Sequence, residues 1–122
     1  MRYFWDLQAF QIDHRTWLKH NFPDQSPHQA LLGLAEEVGE LAHAHLKMEQ
    51  GIRGLTNEEY INQATDAVGD IVIYLASYCN SNGLDLAECV QSAWEEVRDR
   101  DWIAYPETGR PPIDAELPAS EV

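Results

Sequence analysis

Glu36-Glu37-Val38-Gly39-Glu40 is the stretch on which the reading of the chain turns. It sets three carboxylates close together, and Asp66 and Asp70 answer them further along. A helix advances about 100° per residue, so Glu36 and Glu40 lie about 40° apart and Glu37 and Glu40 about 60° apart. One broad helical face therefore carries all three acids. Like charges at that spacing repel and weaken an isolated helix, so the pattern asks for a cation.

Outward from this cluster the chain reads as helices. Pro23 and Pro27 mark a loop before it, and Ser26 caps a helix expected from Pro27 to Gln50, which stops at Gly51. Leu31, Leu34, Val38, Leu41, His45 and Met48 make one stripe, expected to face the core. Gly33, Glu37, Glu40 and Ala44 make a second, which mixes small residues with acids and lets another helix come close.

Thr56-Asn57-Glu58-Glu59 is a capping-box pattern that opens a helix to about Asn82, before Gly83. Its main stripe is Tyr60, Ala64, Val68, Ile71, Leu75 and Tyr78, and Asp66 and Asp70 stand out in so apolar a segment, with Tyr74 and Ser77 on the same side. An N-terminal helix is expected from about Phe4 to Asn21, with Phe4, Leu7, Phe10, His14, Trp17 and Leu18 at helical spacing. A last helix starts near Asp85 on Leu86, Val90, Ala93, Trp94 and Val97, with Arg98 and Arg100 in its last turns. No strand-like run appears, so the class is all-α: a four-helix domain over residues 1–105 and an irregular, proline-containing tail over 106–122.

Composition narrows the function. The formal charge of −13 and only eight Lys or Arg exclude a phosphate-tracking nucleic-acid surface. Divalent metals change that balance for small anions, because carboxylates hold the metals and the metals hold phosphate. No apolar run reaches the roughly 18 residues of a membrane span, and the N-terminus lacks the pattern of an export signal. A cytoplasmic location without membrane attachment is the expectation. Cys79 and Cys89 fall in expected helices and are read as small buried hydrophobes rather than as a disulfide.

Two kinds of carboxylate bundle suit such a chain. A di-iron site needs Glu-x-x-His twice, and only Glu40-Leu41-Ala42-His43 supplies it. An all-oxygen site suits Mg²⁺ or Mn²⁺ and a nucleotide's phosphates. Glu36-Glu37-x-x-Glu40, followed by a helix with Val68-Gly69-Asp70-Ile71-Val72-Ile73-Tyr74-Leu75, resembles the MazG-like all-α nucleoside triphosphate pyrophosphohydrolases. Leu31-Leu32-Gly33-Leu34-Ala35 and Arg98-Asp99-Arg100-Asp101-Trp102 resemble that family too.

The resemblance implies a four-helix MazG-like bundle that forms homodimers or homotetramers. It implies Mg²⁺-dependent hydrolysis of a nucleoside triphosphate to a monophosphate and pyrophosphate. By position, Glu37, Glu40 and Asp70 correspond to metal ligands, and Glu36 to a further ligand or an activator of water. Tyr74 falls where the family places an aromatic near the base or sugar. The family's second motif has Glu three residues before its Asp, where this chain has Ala67. Asp66, one position earlier, is left with two roles, ligand or outer acid. Lys47 and Arg53 are candidate phosphate contacts or plain surface charges. A catalytically weak module for metal-stabilised assembly or nucleotide sensing is the alternative function that Ala67 keeps open.

Overall fold

The computed structural model describes residues 6–113. Their helices are α1 (Leu7–Asn21), α2 (Pro27–Gln50), α3 (Asn57–Asn82) and α4 (Leu86–Val97). No strand occurs among the described residues, so the class is all-α. None of these helices is long and apolar enough to cross a membrane. The chain divides between Ala87 and Glu88 into two compact units. Phe4 and Trp5, expected in the first helix, lie outside the described residues.

The ends of α2 and α3 follow from local chemistry. Ser26 Oγ accepts from the Gln29 amide at 3.2 Å while Gln29 Oε1 accepts from the Ser26 amide at 3.0 Å. Thr56 and Glu59 repeat this reciprocal pair at 3.1 and 3.0 Å. Each box satisfies N–H groups that a helix start leaves without partners. Gly51 and Gly83 close the two helices at φ of 66° and 68°, a left-handed conformation that costs glycine little.

α2 and α3 form an antiparallel hairpin. Gly33 lies against Tyr74, Glu37 acts on Asp70, and His45 Nδ1 is 2.9 Å from Tyr60 Oη, so numbers rise along one helix as they fall along the other. The seam runs along small residues: Ala30 is 0 % exposed and Ala44 2 %, facing a helix in which Ala67, Ala76, Ser77 and Cys79 are buried.

That seam corrects one expectation. The stripe through Leu31, Val38 and His45 is not the core face: Leu31 is 46 % and Val38 48 % exposed, and Leu34, Leu41 and Met48 are only half-buried. Small side chains let the two backbones approach, and that close contact claims the Gly33, Glu37, Glu40 and Ala44 face. On α3, Val68 is likewise 53 % exposed, whereas Tyr60, Ala64, Ile71, Leu75 and Tyr78 of its expected stripe are half-buried.

A buried polar network fastens α1 to α3. Gln11 Nε2 donates to Asn80 Oδ1 at 2.9 Å and to the Leu84 carbonyl at 2.8 Å, while its Oε1 accepts the Leu86 amide at 2.7 Å. The first N–H of α4 is thus capped by a side chain from α1. Leu7 and Phe10 pack on Ala76, Cys79 and Leu86 beside it.

In the second unit α4 ends at Val97, so Arg98 and Arg100 lie beyond its last turn rather than within it. Val90, Trp94 and Val97 are exposed. Residues 106–113 hold no helix but fold back: Arg110 donates to the Glu96 carbonyl at 3.0 Å, and buried Gly109, at φ 77°, lies against Arg100. The two cysteines form no disulfide; Cys79 is buried as expected, whereas Cys89, in α4, is exposed and corrects the expectation of a buried side chain.

A Cβ at Gly33 would overlap the Tyr74 ring. Gly33→Ala is expected to lower stability by about 1–3 kcal/mol, read as a reduced urea midpoint. In a Tyr74→Ala background the same change should be neutral or stabilising by up to about 1 kcal/mol, as alanine replaces glycine in a helix. Equal losses in both backgrounds would contradict the close contact.

Candidate functional site

The hairpin brings all five acids to one place. Donor atoms of Glu36, Glu37 and Glu40 lie within 4.8 Å of one another. Asp70 feels Asp66 on its own helix and Glu40 across the seam, and Glu37 feels Asp70. Glu36, Glu40 and Asp66 are exposed, and Glu37 and Asp70 half-buried. Of the three acids on α2, Glu37 is therefore the innermost, while Glu36 and Glu40 are both exposed.

Crowding has an electrostatic consequence. Partial burial pushes the Glu37 carboxyl above its ordinary value, and the charges of Glu40, Asp70 and Glu36 push it further. Burial, then Asp66 and Glu40, raise Asp70 in the same direction. No Lys or Arg forms an ion pair with the cluster among the described residues. Glu37 Oε2 is buried and has no hydrogen-bond partner. An unpartnered carboxylate oxygen among like charges fits a hard divalent cation, which takes oxygen donors and offsets the repulsion. The donors suit Mg²⁺ or Mn²⁺ without selecting between them.

Beside the acids lies a cavity of about 590 Å³. Glu37 and Asp70 stand on its wall together with Tyr74, Ile73 and Ser77 from α3. Phe10, Asp13, His14 and Trp17 line it from α1, and Phe22 and Gln25 from the loop that follows. The rings continue one another: His14 and Trp17 centroids are 5.7 Å apart, and Trp17 and Phe22 meet edge-on at 5.8 Å. Such a cavity, apolar with a few convergent polar groups, has the general character of a small-molecule site.

His14 sits in this wall as a neutral ring. Burial lowers its pKa, and its Nδ1 accepts from Asn80 Nδ2 at 3.1 Å, which leaves Nε2–H to donate to Ser77 Oγ at 3.1 Å. The Asn80 amide is oriented by Gln11, whose donor takes the Asn80 oxygen. The ring is thereby fixed in place.

Tyr74 lines the cavity as well as touching Gly33. Lys47 and Arg53 do not line it. Lys47 Nζ donates to Gln50 at 3.1 Å, about 10 Å of helix beyond Glu40, and Arg53 is exposed in the α2–α3 turn. His43 faces a separate recess of about 280 Å³ with Glu40, Gln63, Asp66 and Ala67. Ala67 is 4 % exposed, so the position that in the resembled family holds glutamate is here part of the helix seam.

The motif reading did not include Asp13, Phe22 or Gln25 in the site. A signal for α1 existed in the spacing of Phe10, His14 and Trp17, one face of one helix. Nothing local marked Gln25, whose place depends on how the loop returns to α3.

Comparison of the chain with protein-family models, with curated proteins and with solved structures found no match. The site therefore rests on its own geometry.

A carboxyl whose pKa is raised on folding contributes stability that is fully present below its unfolded value and lost as pH rises through the folded value. The unfolded values are 4.5 for Glu37 and 3.8 for Asp70. With chelator present, melting temperature should rise as pH falls from neutral through the raised folded values toward these unfolded ones. The rise should shrink in Glu37→Gln and in Asp70→Asn, and both variants should melt higher than the parent at neutral pH without metal. An identical pH profile in parent and variants would show that the two acids are not strained by their neighbours.

Proposed function

We propose that the chain is a Mg²⁺-dependent nucleoside triphosphate pyrophosphohydrolase of the MazG-like kind, converting a triphosphate and water to a monophosphate and pyrophosphate. The observation that carries this reading is the acid cluster on the rim of an aromatic cavity, with Glu37 and Asp70 shared by both. A nucleoside triphosphate is a ring joined to a chain of charges. Its two halves match the two halves of the site.

Glu37 and Glu40 from α2 and Asp70 from α3 would hold the cation, with Asp66 as a further ligand or an acid that orients one. Bound there, Mg²⁺ supplies charge neutralisation at phosphate oxygens. Glu36 is an exposed acid beside Glu37 and Glu40 and suits a carboxylate that positions water and takes up its proton. Phe10, Trp17, Phe22 and Tyr74 receive the base and sugar and exclude water from that end. Hydrolysis needs no covalent residue, and electrostatic positioning is the whole task of the chain. The exposed apolar residues Leu31, Val38, Ile61 and Val68 suit self-association, as a homodimer or homotetramer.

One observation favours a second reading. Burial of Ala67 leaves α3 without a glutamate at the position the motif requires. A metal-stabilised module that binds nucleotide with little turnover would keep the cavity and most of the acids.

Pyrophosphate release from a panel of ribo-, deoxyribo- and modified triphosphates, with Mg²⁺ and with Mn²⁺, tests the first reading against the second. Turnover is expected with at least one of them, and Glu40→Gln should reduce it by about 100-fold or more while leaving the melting curve in chelator cooperative. Metal-dependent nucleotide binding without turnover would favour the module. Activity undiminished in Glu40→Gln would remove the acid cluster from the reaction.

A further inference from the structure

The aromatic end of the cavity has hydrogen-bonding chemistry that the acid cluster does not explain. His14 is engaged with Ser77 and Asn80, as described above. Gln25 is different: its Oε1 is buried and has no partner. Asp13 lines the same cavity, and no Lys or Arg does among the described residues. The rings of Trp17 and Phe22 therefore share the cavity with one buried acceptor that lacks a donor, Gln25 Oε1, and with the exposed carboxylate of Asp13. A buried acceptor favours a ligand that brings an N–H to it and disfavours one that presents an oxygen.

We propose that Gln25 and Asp13 select nucleotides whose base carries an exocyclic amino group; this inference rests on the nucleotide reading of the cavity. The base lies against the aromatic rings, and its amino group donates to Gln25 Oε1 with Asp13 as a second acceptor. A glutamine alone discriminates weakly, because rotation of its amide exchanges oxygen for nitrogen. Asp13 removes that freedom: its carboxylate only accepts, so an oxo group at the same edge meets an acceptor whichever way Gln25 turns.

Matched pairs exchange the amino group for an oxo group, and with it the neighbouring ring acceptor for an N–H: dCTP against dUTP, and dATP against dITP. Affinity is measured by calorimetry and turnover by pyrophosphate release, both with Mg²⁺. The amino member should be favoured about fivefold or more, one hydrogen bond's worth, in both pairs. Gln25→Leu and Asp13→Ala should each bring the pairs within about twofold of one another, whereas Gln25→Glu, which keeps only acceptors, should retain the preference. Preference within one pair alone still supports the inference and adds a limit on ring size.

Equal handling of both members in both pairs overturns the inference, as does a preference for the oxo base or one that both Gln25→Leu and Asp13→Ala leave intact. Turnover without base preference would leave the pyrophosphohydrolase reading standing and remove this one. Unequal affinities without turnover would do the reverse. Failure of all four nucleotides to bind removes both.

Discussion

The approach of α2 to α3 along Ala30, Gly33, Ala44 and Ala67 is the contact on which the rest of the structure depends. A seam of small residues brings the two backbones near enough for carboxylates on one helix to act on those of the other. A seam of leucines would hold the helices further apart, at the 8–10 Å range's upper end, and the acids would be divided between two faces. The same closeness seats the Tyr74 ring against Gly33, which places an aromatic on the cavity wall one helical turn from Asp70. Packing and site are therefore set by one arrangement. Enlarging a seam residue disturbs both at once.

That arrangement brings charge together against its own repulsion. Glu36, Glu37, Glu40, Asp66 and Asp70 share a small region, and burial and mutual repulsion push Glu37 and Asp70 toward protonation. Salt screens exposed charges and does less for groups withdrawn from water. The fold tolerates the cluster through capped helix ends and the Gln11, His14, Ser77 and Asn80 network, which fasten the helices from outside it. Strain held at a polar site by a rigid surround is a common feature of sites prepared for a ligand.

Legibility from sequence followed the range of the interactions. Helix ends at Ser26, Gly51, Thr56 and Gly83 were readable because a cap is decided by residues within one turn. The acids were readable because helical phase alone puts Glu37 and Glu40 with Gly33 and Ala44. The core face of α2 was not: Leu31, Val38 and His45 form the more apolar stripe, yet the helix buries the one lined with small residues. Hydrophobic periodicity reports where apolar area lies, and close packing depends on shape as well as area. The cavity was legible only in part, since Phe10, His14 and Trp17 share a face of α1 while Phe22 and Gln25 reach it through loop geometry, which no local pattern encodes.

The two ends of the site differ in what they demand of a ligand. At the acid end Glu37 and Asp70 are short of positive charge, which a divalent cation supplies and the chain's own Lys47 and Arg53 do not, since neither lines the cavity. At the ring end Gln25 Oε1 is short of a hydrogen-bond donor, with the exposed Asp13 carboxylate and the Trp17 and Phe22 rings on the same wall. A free anion would satisfy neither end, and an apolar ligand would leave both polar requirements unmet. The nucleotide proposed above, a ring with N–H groups joined by a spacer to an anion that binds together with its cation, would meet both requirements. The distinction between the ends arises in the chain order. The acid cluster belongs to the α2–α3 hairpin, and Asp13 and Gln25 to α1 and its loop, so on that proposal substitutions in one element would alter recognition of the ring while the charged end kept its ligands.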